Sequence, residues 1–124
     1  MTAMQYGTMT PTRGPFATPE GIRAIVTEAE TLNFGVLIVP DHIVVPKDIA
    51  SRYPYSAAGD FPGDTTGECI EQLTLLAYIA ALTRKAKLMT SVMVVPHREP
   101  LLAAKSLAST DMLSGGRVIV GCGT

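Results

Sequence analysis

The sequence predicts an α/β fold with parallel strands, because short apolar segments alternate with longer amphipathic ones along the whole chain. The predicted strand segments lie at residues 4–9, 36–39, 88–95 and 117–121. Residues 36–39 are apolar throughout rather than alternating, which is typical of a strand that is buried on both faces. The regular alternation implies right-handed crossovers between parallel strands, and it fits both an open doubly wound sheet and a closed eightfold barrel.

The first helix is predicted to begin at Pro19, because Thr18 is a suitable N-cap and a proline at the first helical position loses no hydrogen bond. Its apolar residues recur at spacings of three and four and build one apolar face: Ile22, Ile25, Val26, Ala29 and Leu32. Asn33 and Gly35 follow, and both residue types tolerate the left-handed backbone that ends many helices.

A long connection, rich in Pro, Gly, Tyr, Ser and Asp, runs from residue 40 to about residue 67. Connections of this length within a compact chain are uncommon and are usually functional or mobile. The second helix is predicted over residues 68–84, and the third from Pro100 to the Gly115-Gly116 pair that ends it. With the fourth apolar segment, the sequence predicts about four parallel strands and three helices.

The composition of the chain narrows its functional class. The 124 residues are 47% hydrophobic with a net charge of -1, which favours one folded domain over disorder. Ten Lys and Arg against eleven Asp and Glu give no basic excess, so we expect neither nucleic acid nor a membrane as a partner. No apolar segment approaches the roughly 20 residues of a membrane span, and the first residues lack a signal-peptide pattern. The two cysteines match no metal or redox spacing, so we expect a cytoplasmic protein with no metal site.

The segment at residues 103–123, which reads AAKSLASTDMLSGGRVIVGCG, resembles the central signature of the bacterial luciferase-like oxidoreductases. These enzymes depend on a flavin or a deazaflavin. The tripeptide PDH at residues 40–42 and the run LMTSV at residues 88–92 are similar to two further marks of the same family. The segments FPG, LLAYIA and PHREP, which begin at residues 61, 75 and 96, look closest to its coenzyme F420-dependent branch.

This resemblance implies a (β/α)8 TIM barrel, a fold that typically takes about 250 residues. Residues 1–124 are therefore expected to be its N-terminal half, a partial domain truncated after the fourth strand. The implied activity is hydride transfer between coenzyme F420 and a small organic substrate. An FMN-dependent luciferase-like monooxygenase is one alternative, and a non-catalytic half-barrel that serves as an assembly or binding module is another. We expect the full-length form to be a homo-oligomer and the 124-residue chain alone to be inactive.

Asp41 and His42 follow the second predicted strand, where parallel barrels carry their reactive groups. His42 has a near-neutral intrinsic pKa, and the resemblance implies that it is the catalytic acid and base near the deazaflavin. Asp41 is expected to orient His42 or the cofactor ring. The alternative is a loop histidine bonded to a backbone carbonyl, with Asp41 capping a turn.

Thr90 and Ser91 place two hydroxyl groups in the apolar third strand. The resemblance implies that the peptide bond between Ser91 and Val92 is cis and lies in a bulge that backs the cofactor ring. The same family context assigns Thr90, Ser91 and Val92 to cofactor binding. The alternative is an ordinary strand, in which threonine is a good strand former and serine bonds within a barrel layer.

Gly123 and Thr124, after the fourth strand, are also expected to contact the cofactor, with a plain strand-to-helix turn as the alternative. For Arg98 we favour a surface Arg–Glu pair, beside a glutamate that starts the third helix, over contact with a phosphate or carboxylate. Arg117 lies at the opposite end of its strand and is interpreted as structural. Three aromatic residues of the long connection, Tyr53, Tyr55 and Phe61, form either a lid over the substrate or a loop that packs on itself.

Overall fold

A parallel sheet of four strands organises the part of the chain that the computed structural model describes, residues 4–61 and 68–123. The strands are β1 (Gly7–Met9), β2 (Val36–Val39), β3 (Lys87–Val94) and β4 (Val118–Gly123), and they lie in sequence order across the sheet. The helices are α1 (Pro19–Thr31), α2 (Gln72–Leu82) and α3 (Pro100–Ser114), with a short 3-10 turn at Val95–His97. Each α-helix connects two neighbouring parallel strands, so the predicted α/β fold with four parallel strands and three helices is confirmed.

Local hydrogen bonds start and end α1 where the sequence predicts. The Thr18 hydroxyl accepts a hydrogen bond from the Gly21 N–H at 3.0 Å, which satisfies one of the free N–H groups of the first turn. Pro19 follows at the first helical position. Beyond the helix, Asn33 has a φ of 61°, the left-handed backbone that the sequence suggests at this end.

Glutamates cap the other two helices. Glu71 accepts a hydrogen bond from the Thr74 N–H at 2.7 Å, so α2 begins at Gln72 rather than at the predicted residue 68. Glu99 accepts hydrogen bonds from two backbone N–H groups in the first turn of α3, at 3.1 and 2.6 Å. The expected helix-start glutamate at the beginning of α3 is confirmed.

The hydrophobic core lies on one face of the sheet, against α1 and α2. Leu37 and Val39 of β2 are buried on this face, whereas Val36 and Ile38 on the opposite face are only half-buried. The core cluster consists of Ile22, Val26, Ala29, Leu37, Val39, Leu75, Leu76, Ile79, Ala80, Ala86 and Leu88. The prediction that residues 36–39 are buried on both faces is therefore wrong for one face, because the helices that cover this strand pack on the other face.

Arg117 joins several elements at the amino-terminal end of the strands. Its guanidinium donates to the Thr83 hydroxyl and to the backbone oxygens of Ala80, Thr83, Ala86 and Ser114, at 2.8–3.1 Å. These acceptors belong to the end of α2, to the turn before β3 and to the end of α3. Burial lowers the pKa of Arg117 from its ordinary value, but its many carbonyl partners compensate the buried charge. The predicted structural role of this residue is confirmed.

Candidate functional site

The carboxyl-terminal ends of the strands meet at one edge of the sheet, because every strand pair is parallel. We call this edge the rim; it comprises residues 40–42 after β2, residues 91–98 at and after the end of β3, and residues 121–123 of β4. The Val94 N–H donates a hydrogen bond to Asp41 Oδ2 at 2.9 Å, which joins the ends of β2 and β3 directly. Thr124, predicted to contact a cofactor here, lies outside the described residues.

Asp41, Arg98 and Glu71 form an ion cluster at the rim, which we call the rim ion cluster. Arg98 donates from Nη1 to Asp41 Oδ2 at 2.6 Å and from Nη2 to Asp41 Oδ1 at 2.9 Å; Nη2 also donates to Glu71 Oε1 at 2.6 Å. The side chains of Asp41 and Arg98 are only 1% and 10% exposed, whereas that of Glu71 is 40% exposed. Burial alone would raise the pKa of Asp41, but the hydrogen bonds from Arg98 and Val94 outweigh it and hold this pKa below its ordinary value.

This geometry corrects the interpretation of Arg98 as part of a surface pair. Arg98 does bond to a glutamate, Glu71, but it holds Asp41 with two hydrogen bonds and is itself largely buried. Both carboxylate oxygens of Asp41 are bonded to protein groups, so this side chain is directed at Arg98. The role of Asp41 toward a cofactor ring stays a prediction.

His42 lies at the rim directly after Asp41 and is half-buried. Its Nδ1 atom is buried and has no hydrogen-bond partner among the described residues. The imidazole meets the Phe61 ring edge-on with centroids 5.9 Å apart, and the His42 backbone oxygen accepts a hydrogen bond from the Cys69 thiol at 2.9 Å. Burial and the Arg13 guanidinium lower the pKa of His42, while Asp41 opposes them in part. The imidazole is therefore neutral at pH 7, with a nitrogen that can exchange a proton.

The end of β3 carries the bulge that the family resemblance implies. The peptide bond between Ser91 and Val92 is cis, and the pairing of β3 with β4 shifts register between Thr90 and Met93. The Thr90 side chain is fully buried, and its hydroxyl donates to the Gly121 oxygen and accepts from the Gly121 N–H, both at 3.0 Å. The hydroxyl of Thr90 is thus used to pair the strands. Contacts of Thr90, Ser91 and Val92 with a cofactor stay predictions.

Two glycines of β4 allow its close approach to β3. A Cβ atom at Gly121 would lie 2.4 Å from the Thr90 backbone oxygen, and one at Gly123 would lie 2.7 Å from Val92 Cγ2. Glycine is therefore required here by the neighbouring strand, and not only by the approach of a ligand. A cofactor contact at Gly123 stays a prediction.

The aromatic residues of the long connection pack both on one another and on His42. Tyr53 lies edge-on to Tyr55 and to Phe61, with ring centroids 5.6 and 5.2 Å apart. The Arg13 guanidinium lies over the Phe61 ring, 4.5 Å from its centroid. The described part of this loop therefore packs on itself, as one of the two interpretations predicts. A lid over the substrate stays a prediction.

A cleft of about 440 Å³ opens beside His42, between the end of β1 and the loop after it on one side and Ile25 of α1 and Pro40 on the other. Thr10 lines this cleft and is 1% exposed, and its hydroxyl has no hydrogen-bond partner among the described residues. Arg13 and Phe16 lie on the same cleft. Sequence reasoning missed Thr10, Arg13 and Glu71, because no local motif marks them; they reach the rim only through the fold.

No group of three or more His, Cys, Asp or Glu side chains within residues 4–61 and 68–123 is arranged to hold a metal ion. None of the helices in these ranges is long and apolar enough to cross a membrane.

Comparison with known proteins places the chain in a family. The model of the luciferase-like monooxygenase family matches residues 3–124. The chain belongs to this family. The match covers all four strands and the rim, so the family resemblance of the signature at residues 103–123 is confirmed.

Curated relatives of the chain come from mycobacteria. It is 30% identical over 120 residues to the uncharacterized protein Rv0953c of Mycobacterium tuberculosis, covering 97% of this chain and 42% of the relative. It is 33% identical over 96 residues to the uncharacterized protein Rv0940c of the same species, covering 77% of this chain and 33% of the relative. The chain thus spans less than half the length of the curated relatives that it matches.

Solved structures share the fold. The coenzyme F420-dependent tetrahydromethanopterin reductase from Methanopyrus kandleri superposes with a TM-score of 0.65 at 22% identity, covering 98% of this chain and 27% of that one. The monooxygenase RslO1 from Streptomyces bottropensis gives 0.63 at 26% identity, covering 96% and 32%. The oxygenating constituent of 3,6-diketocamphane monooxygenase from Pseudomonas putida, in complex with FMN, gives 0.65 at 16% identity, covering 98% and 30%. The four parallel strands and three helices match half of a luciferase-like TIM barrel.

Proposed function

We propose that the protein is an oxidoreductase that transfers hydride between coenzyme F420 and a small organic substrate, with His42 as its acid and base. One observation carries this proposal: the buried Nδ1 of His42, at the end of β2, has no hydrogen-bond partner among the described residues, and burial holds the pKa of this imidazole below its ordinary value. A nitrogen of this kind, beside a cleft, is suited to exchange a proton with a bound molecule.

The residues of the rim fit a flat, partly apolar ring. Val92 at the bulge of β3 is 46% exposed, so an apolar side chain is available for contact there. The hydroxyl of the neighbouring Thr90 already forms two hydrogen bonds with Gly121 of β4, so the ring would not need to satisfy it. Ser91 and Val92 would back the ring, and Gly123 would contact it from the end of β4. A contact from Thr124, which lies outside the described residues, rests on the sequence alone. Coenzyme F420, when bound, supplies the hydride chemistry.

His42 manages the proton of the reaction. Because its pKa is held below the ordinary value, the imidazole is unprotonated at pH 7 and can accept the proton of a substrate hydroxyl as that group becomes a carbonyl. In the reverse direction the protonated imidazole returns a proton to the carbonyl oxygen. Asp41 places His42 through the backbone, since its own carboxylate is held by Arg98. The cleft that holds Thr10 offers a second hydroxyl for the substrate oxygen.

The test uses the complete gene product, assayed with oxidised F420 and a panel of small alcohols. We expect His42→Asn to lower kcat by about 10²- to 10⁴-fold, the usual contribution of general acid–base catalysis, with little change in F420 affinity. His97→Asn is the matched control, because His97 is the other histidine of the chain and is exposed. An unchanged kcat in His42→Asn would contradict the assigned role.

An FMN-dependent monooxygenase is the second candidate. The 26% identity to the monooxygenase RslO1 from Streptomyces bottropensis favours a monooxygenase, and the family resemblance suggests FMN as its cofactor. The two candidates differ in their requirements, because the monooxygenase consumes oxygen with reduced FMN and the F420 enzyme does not. Incubation of the complete protein with reduced FMN and ¹⁸O₂ would label the product only if the protein is the monooxygenase.

A further inference from the structure

We propose that Arg98 is a positioning residue, whose guanidinium holds and neutralises the Asp41 carboxylate and thereby sets both the place and the charge environment of His42. Arg98 acts on the same imidazole that the proposed function invokes, so this role rests on that function. No local motif indicates it, because Arg98 and Asp41 are 57 positions apart in the chain.

Arg98 and Asp41 form a bidentate pair. Two guanidinium nitrogens meet two carboxylate oxygens at 2.6 and 2.9 Å, and the Asp41 side chain is 1% exposed. Two parallel charge-assisted bonds fix both the distance and the angle of the carboxylate, which a lysine ammonium cannot do.

The same guanidinium connects three elements. Asp41 directly follows the end of β2, and its Oδ2 also accepts the N–H of Val94, the last residue of β3. On its other side Arg98 binds Glu71 through Nε and Nη2, at 3.2 and 2.6 Å, and Glu71 caps α2. Arg98 therefore links Asp41, the residue before His42, to Glu71 at the start of α2.

The charged groups around His42 come from several sides. Arg13 approaches His42 from the loop after β1, and Asp41 is the chain neighbour of His42. Arg13 lowers the pKa of His42, and Asp41 raises it. The Cys69 thiol is engaged with the His42 backbone oxygen, and Phe61 covers the ring without charge. Without Arg98 the Asp41 carboxylate would act on the imidazole uncompensated and favour its protonated form. Burial and Arg13 hold the pKa of His42 down, and Arg98 limits how far its bonded partner Asp41 raises it.

The experiment measures the pKa of His42 in the 124-residue chain, in whatever assembly it adopts. Exchange of the histidine C2 hydrogen for deuterium, followed by mass spectrometry of peptides, reports each histidine separately, and the chain has only two. The variants are Arg98→Gln, Arg98→Lys, Asp41→Asn and the double variant Asp41→Asn/Arg98→Gln. Arg23→Gln is the matched control, since Arg23 is exposed on α1.

We expect Arg98→Gln to raise the midpoint of His42 by about one pH unit over the parent value. The double variant should fall back below the roughly 6.5 of a free histidine, because the charge that Arg98 neutralises is then absent. Arg98→Lys should lie between the parent and Arg98→Gln, and Arg23→Gln should match the parent.

A purely structural role gives a different pattern. If loss of Arg98 only melts the rim, His42 titrates at about 6.5 in both Arg98→Gln and the double variant, which would overturn the proposal. So would an unchanged midpoint in Arg98→Gln. If Arg98→Gln does not fold, the other two variants test the proposal. Arg98→Lys must then raise the midpoint of His42, and Asp41→Asn must lower it. The readout needs no cofactor, so its failure is distinct from a failure of the F420 assay.

Discussion

At the residue scale, the contact of Gly121 with β3 leaves no room for a side chain. A Cβ atom at this position would lie 2.4 Å from a backbone oxygen, which cannot swing away as the end of a side chain can. We predict that Gly121→Ala lowers the free energy of unfolding by about 2 kcal/mol, the usual cost of an overpacked site. The midpoint of urea unfolding measures this.

Gly35→Ala is the matched control for Gly121→Ala. A Cβ atom at Gly35 would make only ordinary contacts, 3.7 Å or more from the Gln5 side chain. Equal midpoints for the two variants would show that β3 and β4 separate without cost, and would contradict the close pairing at the rim.

Single residues of the site were predictable where they are neighbours in the chain. The motif PDH placed Asp41 and His42 after a strand, and the bulge at Ser91 followed from a local resemblance. The partner of Asp41 was not predictable, because Arg98 lies 57 positions away and its other carboxylate partner, Glu71, lies 27 positions away. Contacts of this kind depend on the order of strands in the sheet, which periodicity does not encode.

At the element scale, Arg117 links the end of α2, the turn before β3 and the end of α3 through five hydrogen bonds. We predict that Arg117→Met costs about 3 kcal/mol of unfolding free energy, because it leaves several carbonyl groups buried without donors. Urea unfolding followed by circular dichroism measures the loss. Arg52→Met is the control: Arg52 is exposed, and its guanidinium donates a hydrogen bond to the Ala57 oxygen at 3.2 Å. Similar costs for the two variants would refute this role.

Helix and strand positions followed from periodicity and caps, with an instructive error at α2. Thr18 is a side-chain cap that the sequence marks clearly, because proline follows it. Glu71 also caps its helix, but it stands within a run of polar residues that could themselves be helical, so the predicted start was too early. Buried faces were harder to predict, since β2 is apolar on both sides whether or not a second layer covers it.

At the scale of the whole molecule, the described residues leave apolar side chains exposed both on the sheet and on the helices that cover it. Val120 and Val92 are 44% and 46% exposed on the sheet. On α3, the side chains of Leu101 and Leu113 are 78% and 80% exposed. In addition, β1 and β4 each pair with only one strand within residues 4–61 and 68–123. Open strand edges and apolar patches of this kind favour association with another chain.

We therefore predict that the 124-residue chain associates with itself in solution, with a mass above the 13.1 kDa of one copy in size-exclusion chromatography with light scattering. Val120→Lys should reduce association, because a charge on an edge strand opposes pairing. A defined dimer would favour the half-barrel that acts as an assembly module, since paired edges would then close in a specific way. A broad, concentration-dependent distribution would instead indicate unsatisfied edges. A monomer at every concentration with a cooperative thermal transition would contradict the prediction, because the isolated sheet would then tolerate its open edges and its uncovered apolar face.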